Sequence, residues 1–183
     1  MRGLLPRERS HVNAVDHHLI ATVTRSAQMR TSVARPDLLL LAALYHDIGK
    51  GYGRPHAQVG AEMITRQAAR MRLSVADRSR AQTLVAEHTT LARLAATMDP
   101  ASDAARDALL AAAHYDQLTI SLLAVLAEAD AQSTGPGVWT PRVEQAQKLI
   151  VARALEALKP RVLDRPAVHV PLSSEGVALT VDW

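Results

Sequence analysis

The stretch Leu38-Leu39-Leu40-Leu41-Ala42-Ala43-Leu44-Tyr45-His46-Asp47-Ile48-Gly49-Lys50 decides how this chain folds. Pro36 stands just before it, and proline suits the first turn of a helix because its missing N–H is not needed there. Leucine and alanine then favour helix. The apolar residues cover nearly every side of that helix, not one stripe, which marks it as central and buried. The spacing predicts a helix over residues 36–48 that carries a histidine and an aspartate to its end. Gly49, Gly51 and Gly53 stop it and build a loop. A buried imidazole and carboxylate are costly unless they are paired, hydrogen-bonded or metal-bound. His46 and Asp47 are therefore the first candidates for a functional site.

Helical patterns extend to both sides. Val12, Val15, Leu19 and Val23 fall at helical spacing with His18 beside them, predicting a helix over residues 9–30. After the glycine loop, Pro55 opens a helix over residues 56–70, with His56 in its first turn and Val59, Gly60 and Met63 on one face. A long helix over residues 75–97 carries the stripe Ala81, Leu84, Val85, His88, Leu91, Ala92, Ala95, with His88 in register. Another follows Pro100 to about residue 114. The helix over residues 118–131 is apolar on almost every side yet carries Glu128 and Asp130. Those two point about 200° apart on a helix, so only one can face inward, and helical geometry alone does not choose. Thr140-Pro141 caps a final helix that ends near residue 159. The expected fold is an all-α bundle of about seven helices, spanning residues 9–160 as one domain.

The character changes after that. Residues 161–183 hold Pro166, Pro171 and two strand-like runs, 167–170 and 177–181, predicting a short β-like tail. A two-stranded hairpin is marginal alone, so the tail reads as the start of a following domain and the chain as a piece of a longer protein.

Composition narrows the chemistry. With 183 residues the chain can bury a real core, and 48% hydrophobic with 21% charged residues excludes a disordered chain. Cysteine is absent, which removes disulfides, thiolate metal knuckles and thiol nucleophiles together. Any metal site must be built from His, Asp and Glu. A net charge of +3, no basic run and 3% aromatics argue against DNA or RNA as partner. The longest apolar stretch is too short to span a bilayer and the N-terminus has no secretory hydrophobic region, so a cytoplasmic protein without membrane contact is expected. The Ala and Arg bias hints at a GC-rich bacterial source.

His18, His46, Asp47, His56, His88 and Asp130 occupy positions where helices turn inward. Imidazole and carboxylate donors together suit Mn, Fe, Co, Ni, Zn and, less comfortably, Mg. Taken singly, each has an ordinary reading: His88 alone is more often a satisfied core histidine. His11, His17 and His114 read as solvated surface, and His169 as unrelated to the site.

The combination carries more than its parts. The order His18, His46-Asp47, His56, His88, Asp130, with His46-Asp47-Ile48-Gly49-Lys50 at a helix end, resembles the HD-domain metallohydrolase superfamily. With two further histidines after the doublet, His56 and His88, it resembles the dinuclear members, and the third-helix pattern His56, Gly60, Ala61, Glu62 matches as well. Ala14-Val15-Asp16-His17-His18, the run from Leu40 to Gly51, and Glu128-Ala129-Asp130 through Trp139 narrow the resemblance. They are similar to the HD domains of bifunctional PII uridylyltransferase/uridylyl-removing enzymes, over residues 9–160.

The resemblance implies a metal-dependent phosphodiesterase that removes a uridylyl or adenylyl group from the nitrogen-signalling protein PII. It favours Asp130 over Glu128 as ligand. One divalent ion (Mn, Mg or Fe) would be held by His18, His46, Asp47 and Asp130. A second would be held by His56 and His88, with Asp47 bridging and taking part in catalysis. Lys50 would stabilise transition-state charge and bind substrate, with Arg54 as a further phosphate contact. The nucleotidyltransferase and glutamine-sensing domains of that family are missing, so only the removing activity is expected. A Gly-Asp common before the third-helix histidine is Arg54-Pro55 here. A small-molecule nucleotide phosphohydrolase, or a non-catalytic metal- or nucleotide-binding module, would use the same residues, and a homo-oligomer is compatible with any of these.

Overall fold

The computed structural model describes residues 15–159. Eight α-helices and one 3-10 turn make up the described residues, with no strand among them. They are α1 (Val15–Gln28), α2 (Pro36–Tyr45), α3 (His56–Arg70), α4 (Val75–Ala86), α5 (Thr90–Thr97), α6 (Asp103–Ala112), α7 (Gln117–Thr134) and α8 (Pro141–Ala157). The expected all-α bundle is what the described residues form. The β-like tail, His11, His169 and the start of the first predicted helix lie outside the described residues.

Local chemistry sets the boundaries. Ser74, Ser102, Asp116 and Thr140 each accept a backbone N–H in the first turn of α4, α6, α7 and α8, satisfying donors that have no partner within a helix. Pro36 and Pro141 occupy first-turn positions of α2 and α8. The two helices expected at the centre, α2 and α7, pack against each other, and α1 lies against both. Leu38, Leu39, Ala42 and Ala43 of α2 and Ile120, Leu122, Leu123 and Leu126 of α7 are buried. Each such leucine or isoleucine contributes roughly 1.5–3 kcal/mol relative to exposure. No single helix among the described residues is long and apolar enough to cross a membrane.

One helix departs from the expectation. Residues 75–97 do not form a continuous helix: α4 ends at Ala86, and Glu87, His88 and Thr89 separate it from α5. The break resets the rotational phase, so Ala92 is exposed and Leu94 becomes fully buried. A stripe continued at helical spacing had put Ala92 inward. The central helix is also shorter than expected: α2 stops at Tyr45, and His46 caps it with its N–H on the Ala42 carbonyl.

Two glycines let the elements close on one another. A Cβ at Gly49 would lie 2.2 Å from the His56 carbonyl oxygen. A Cβ at Gly60 would lie 2.8 Å from the Tyr45 carbonyl oxygen and from Val85 Cγ1. The first contact seats the loop on the start of α3. The second brings α3 onto the end of α2 and onto α4, where His88 follows.

Candidate metal centre

Three histidines of the cluster are buried, two of them just past helix ends. His46 directly follows α2, and its ring Nδ1 is 2.8 Å from the Ala43 carbonyl oxygen. His88 follows α4, with Nδ1 2.8 Å from the Val85 carbonyl oxygen. His18 lies within α1, with Nδ1 3.4 Å from the Ser133 carbonyl oxygen in the last turn of α7. Carbonyls in a final helical turn lack an intrahelical donor. A carbonyl only accepts, so each ring donates from Nδ1, and the neutral ring keeps its lone pair on Nε2. A hydrogen bond on the far nitrogen is what fixes a ligating imidazole in tautomer and direction.

The Nε2 atoms converge. His18 Nε2 is 3.2 Å from His46 Nε2 and 2.9 Å from Asp130 Oδ1. Asp47 Oδ2 is 3.5 Å from His18 Nε2 and 3.6 Å from His46 Nε2. His46 Nε2 is also 3.5 Å from Asp130 Oδ1. The other oxygen of Asp47 faces a second group: Oδ1 is 3.4 Å from His56 Nε2 and 3.8 Å from His88 Nε2, themselves 3.4 Å apart. Asp47, 3% exposed, thus stands between two sets of donors.

These residues fit divalent metal. Donors about 2.1 Å from one ion in tetrahedral or octahedral geometry lie about 3.0–3.4 Å from each other, close to the spacings found. Lone pairs meeting at 3.2 Å repel unless something positive lies between them. His18, His46 and Asp47 could hold one ion, and Asp47, His56 and His88 a second; Asp130 Oδ1 stands beside the first group, on the Nε2 atoms of His18 and His46.

The charges agree with that. Burial alone lowers the His46 imidazole, but its bond to Asp130 and the Asp130 and Asp47 charges outweigh burial and hold it above its ordinary value. Burial works against ionisation of Asp47 too, yet His46, Lys50 and His88 keep it below the usual carboxylate range. Asp130 is held well below that range by His18 and His46, again against burial. Burial, reinforced by positive charge on His46, pushes His88 down to about 4. The cluster favours positive charge between its donors, and His88 is neutral near pH 7.

Lys50 and Arg54 occupy different places. Lys50 Nζ is 2.7 Å from Asp47 Oδ2. Arg54 is exposed and makes a two-pronged pair with Glu62, at 2.5 and 3.2 Å. Glu128 accepts from Gln132, at 2.9 Å, and Gln132 in turn meets Arg25. Asp130 is therefore the carboxylate that α7 brings to the cluster, and Glu128 is not among those gathered there. His17 and His114 are exposed. The carbonyls of Ala43, Val85 and Ser133 and the close approach at Gly49 were not legible in the sequence as parts of the site. Gly60, one turn beyond His56, stood in the third-helix pattern, though its packing contact was not foreseen.

Residues 15–134 match the HD domain family. Over its whole length the chain is 50% identical to the bifunctional uridylyltransferase/uridylyl-removing enzyme of Corynebacterium glutamicum, covering 27% of that protein. Over 76% of the chain it is 40% identical to the protein of the same description from Mycobacterium tuberculosis, and covers 17% of it. Over 73% it is 42% identical to the Streptomyces coelicolor protein, covering 16%. The chain thus spans about a quarter or less of the length of these relatives. The family match takes in well over half of the chain and every residue of the histidine–aspartate cluster, so the chain belongs to the HD domain family.

Proposed function

We propose that this chain is a metal-dependent phosphodiesterase that removes a nucleotidyl group, uridylyl or adenylyl, from the PII signalling protein. The observation that carries the reading is Asp47, whose two oxygens face separate histidine pairs, as a carboxylate bridging two ions does. The substrate class comes from the relatives, described as uridylyl-removing enzymes.

A bound ion pair supplies Lewis acidity, acidifying water at neutral pH and neutralising charge on the phosphoryl oxygens. His18, His46, Asp47 and Asp130 would hold the first ion. His56 and His88 would complete the second with Asp47. The Ala43, Val85 and Ser133 carbonyls keep the three buried rings in the ligating tautomer. Lys50, on Asp47 in the resting site, has the reach to meet a phosphoryl oxygen and stabilise charge that grows in the transition state. Arg54, paired with Glu62 in the resting site, would contact the phosphate only on leaving that pair. The bond broken joins phosphorus to a tyrosine oxygen of PII. Water oxygen takes that place on phosphorus, the departing phenolate gains a proton, and the products are unmodified PII and a nucleoside monophosphate.

The test is to incubate the chain with nucleotidylated PII and Mn²⁺ and follow both products by mass. Release of the nucleoside monophosphate with recovery of unmodified PII is the expected result. Intact modified PII with Mn²⁺, Mg²⁺, Co²⁺ and Fe²⁺ alike, alongside hydrolysis of free nucleotides, would move the substrate to small molecules. No hydrolysis of either would leave a binding module.

A further inference from the structure

We propose that Tyr52 is a substrate-binding residue, whose ring is the platform on which the base of the nucleotidyl group stacks. This rests on the phosphodiesterase reading above and adds the residue that recognises the base.

Tyr52 sits in the loop between α2 and α3, five residues after Asp47 and four before His56. It is therefore tethered on both sides to the two donor sets. The residue is 57% exposed, in a chain with three tyrosines, two tryptophans and no phenylalanine. An aromatic side chain left in water gives up the large apolar area it could bury in the core.

The loop that presents it is specified. Gly51 and Gly53, on either side, have φ of 92° and 70°, a region that residues with a Cβ rarely adopt. The Lys50 N–H donates to the Asp47 carbonyl at 3.0 Å and the Tyr52 N–H to the Gly49 carbonyl at 3.4 Å. Gly49 is seated against the His56 carbonyl. At the far end, the Arg54–Glu62 pair fastens the loop to α3. The backbone that carries the ring is thus already ordered, so a ligand does not have to order the loop on binding. There is also room: a Cβ built on Gly53 meets no atom within 4 Å, so the loop borders open space.

A platform of this kind reads the face of a base, not its edge. Every base has a π-face, so stacking tolerates changes of base. Tyr52 accommodates uracil and adenine alike, with the larger adenine ring gaining more contact. Tyr115 is an internal control. It is 63% exposed but precedes α7, at the end away from Asp130, about 20 Å off at 1.5 Å per residue.

The experiment measures binding of UMP, AMP and ribose 5-phosphate to the Mn²⁺-loaded chain by calorimetry, with metal content determined on each preparation. Tyr52→Ala should weaken UMP and AMP by roughly 5- to 100-fold, the scale of one stacked base, and leave ribose 5-phosphate and metal content unchanged. Tyr52→Phe should bind like the parent chain, as should Tyr115→Ala. Unchanged nucleotide affinity in Tyr52→Ala overturns the proposal, and so does equal weakening of ribose 5-phosphate, which would mean general damage to the loop. Tyr52-dependent UMP binding without hydrolysis of modified PII supports this proposal while removing the reading on which it was framed.

Discussion

His18 Nε2 and His46 Nε2 face each other 3.2 Å apart, while the opposite nitrogen of each ring is turned to a backbone carbonyl. Two imidazoles held in this way bring Nε2 to Nε2, and only a proton or a metal ion between them makes the arrangement favourable. A set of four donors around that point, joined through Asp47 to a second set of three, leads to unequal losses on mutation. Asp47→Ala removes an oxygen from both sets and should abolish metal binding altogether. His88→Ala should empty the second position and spare the first, which keeps its two histidines and two carboxylates. Elemental analysis of the purified variants checks this, and complete loss of metal in His88→Ala would argue for one shared site.

Lys50 Nζ lies 2.7 Å from Asp47 Oδ2, and its side chain is 13% exposed. If its charge acts on the transferring phosphoryl group, Lys50→Ala should keep the fold and lower turnover by about 10- to 1000-fold. A lysine that only complements the C-terminal dipole of α2 would cost under about 1 kcal/mol of stability and leave turnover alone. Melting temperature, metal content and diester hydrolysis on one preparation separate the two roles.

The close approach at Gly49 ties the loop to the second donor set. In Gly49→Ala the new methyl would meet the His56 carbonyl oxygen at 2.2 Å, and backbone must shift to relieve it. His56 should move away from Asp47 Oδ1. The expected outcome is weaker binding of the second ion, retention of the first, and a stability loss of about 1–3 kcal/mol. A metal titration that shows both ions bound as in the parent chain would contradict it.

Asp116 gives a pH dependence far from the metal cluster. The Arg80 guanidinium, with added bonds from Thr119, lowers its carboxyl from 3.8 to about 2, against the effect of burial. The folded state therefore holds the proton less well than the unfolded one. Stability from this group is fully present above about pH 4 and is lost as pH falls towards about 2. Asp116→Asn should cost about 1 kcal/mol at pH 7, allowing for screening at a part-exposed site. The difference between variant and parent in denaturant melts should vanish near pH 2. A difference that stays constant across that range would assign the effect to the cap of α7 instead of the charge.

Much of this protein was legible along the chain. The all-round apolar character of residues 38–45 required a buried helix, and a His-Asp pair closing such a helix required a partner for both groups. Composition excluded thiol chemistry, and Pro36, Pro55 and Thr140-Pro141 placed the starts of α2, α3 and α8. What lay beyond the sequence depends on rotation and distance between helices. Glu128 and Asp130 differ by about 200° around α7, so the packing of α1 and α2 against that helix decided which carboxylate meets His18. His88 reached the cluster through a break after α4 that an unbroken apolar stripe conceals. Periodicity records which residues prefer burial but not where a helix stops to free a carbonyl. Most of all, the division of Asp47 between two histidine pairs is a matter of two oxygen atoms about 2 Å apart. Local sequence brings that carboxylate to the end of α2, but only the meeting of α1, α3, α4 and α7 around it gives each oxygen its own pair.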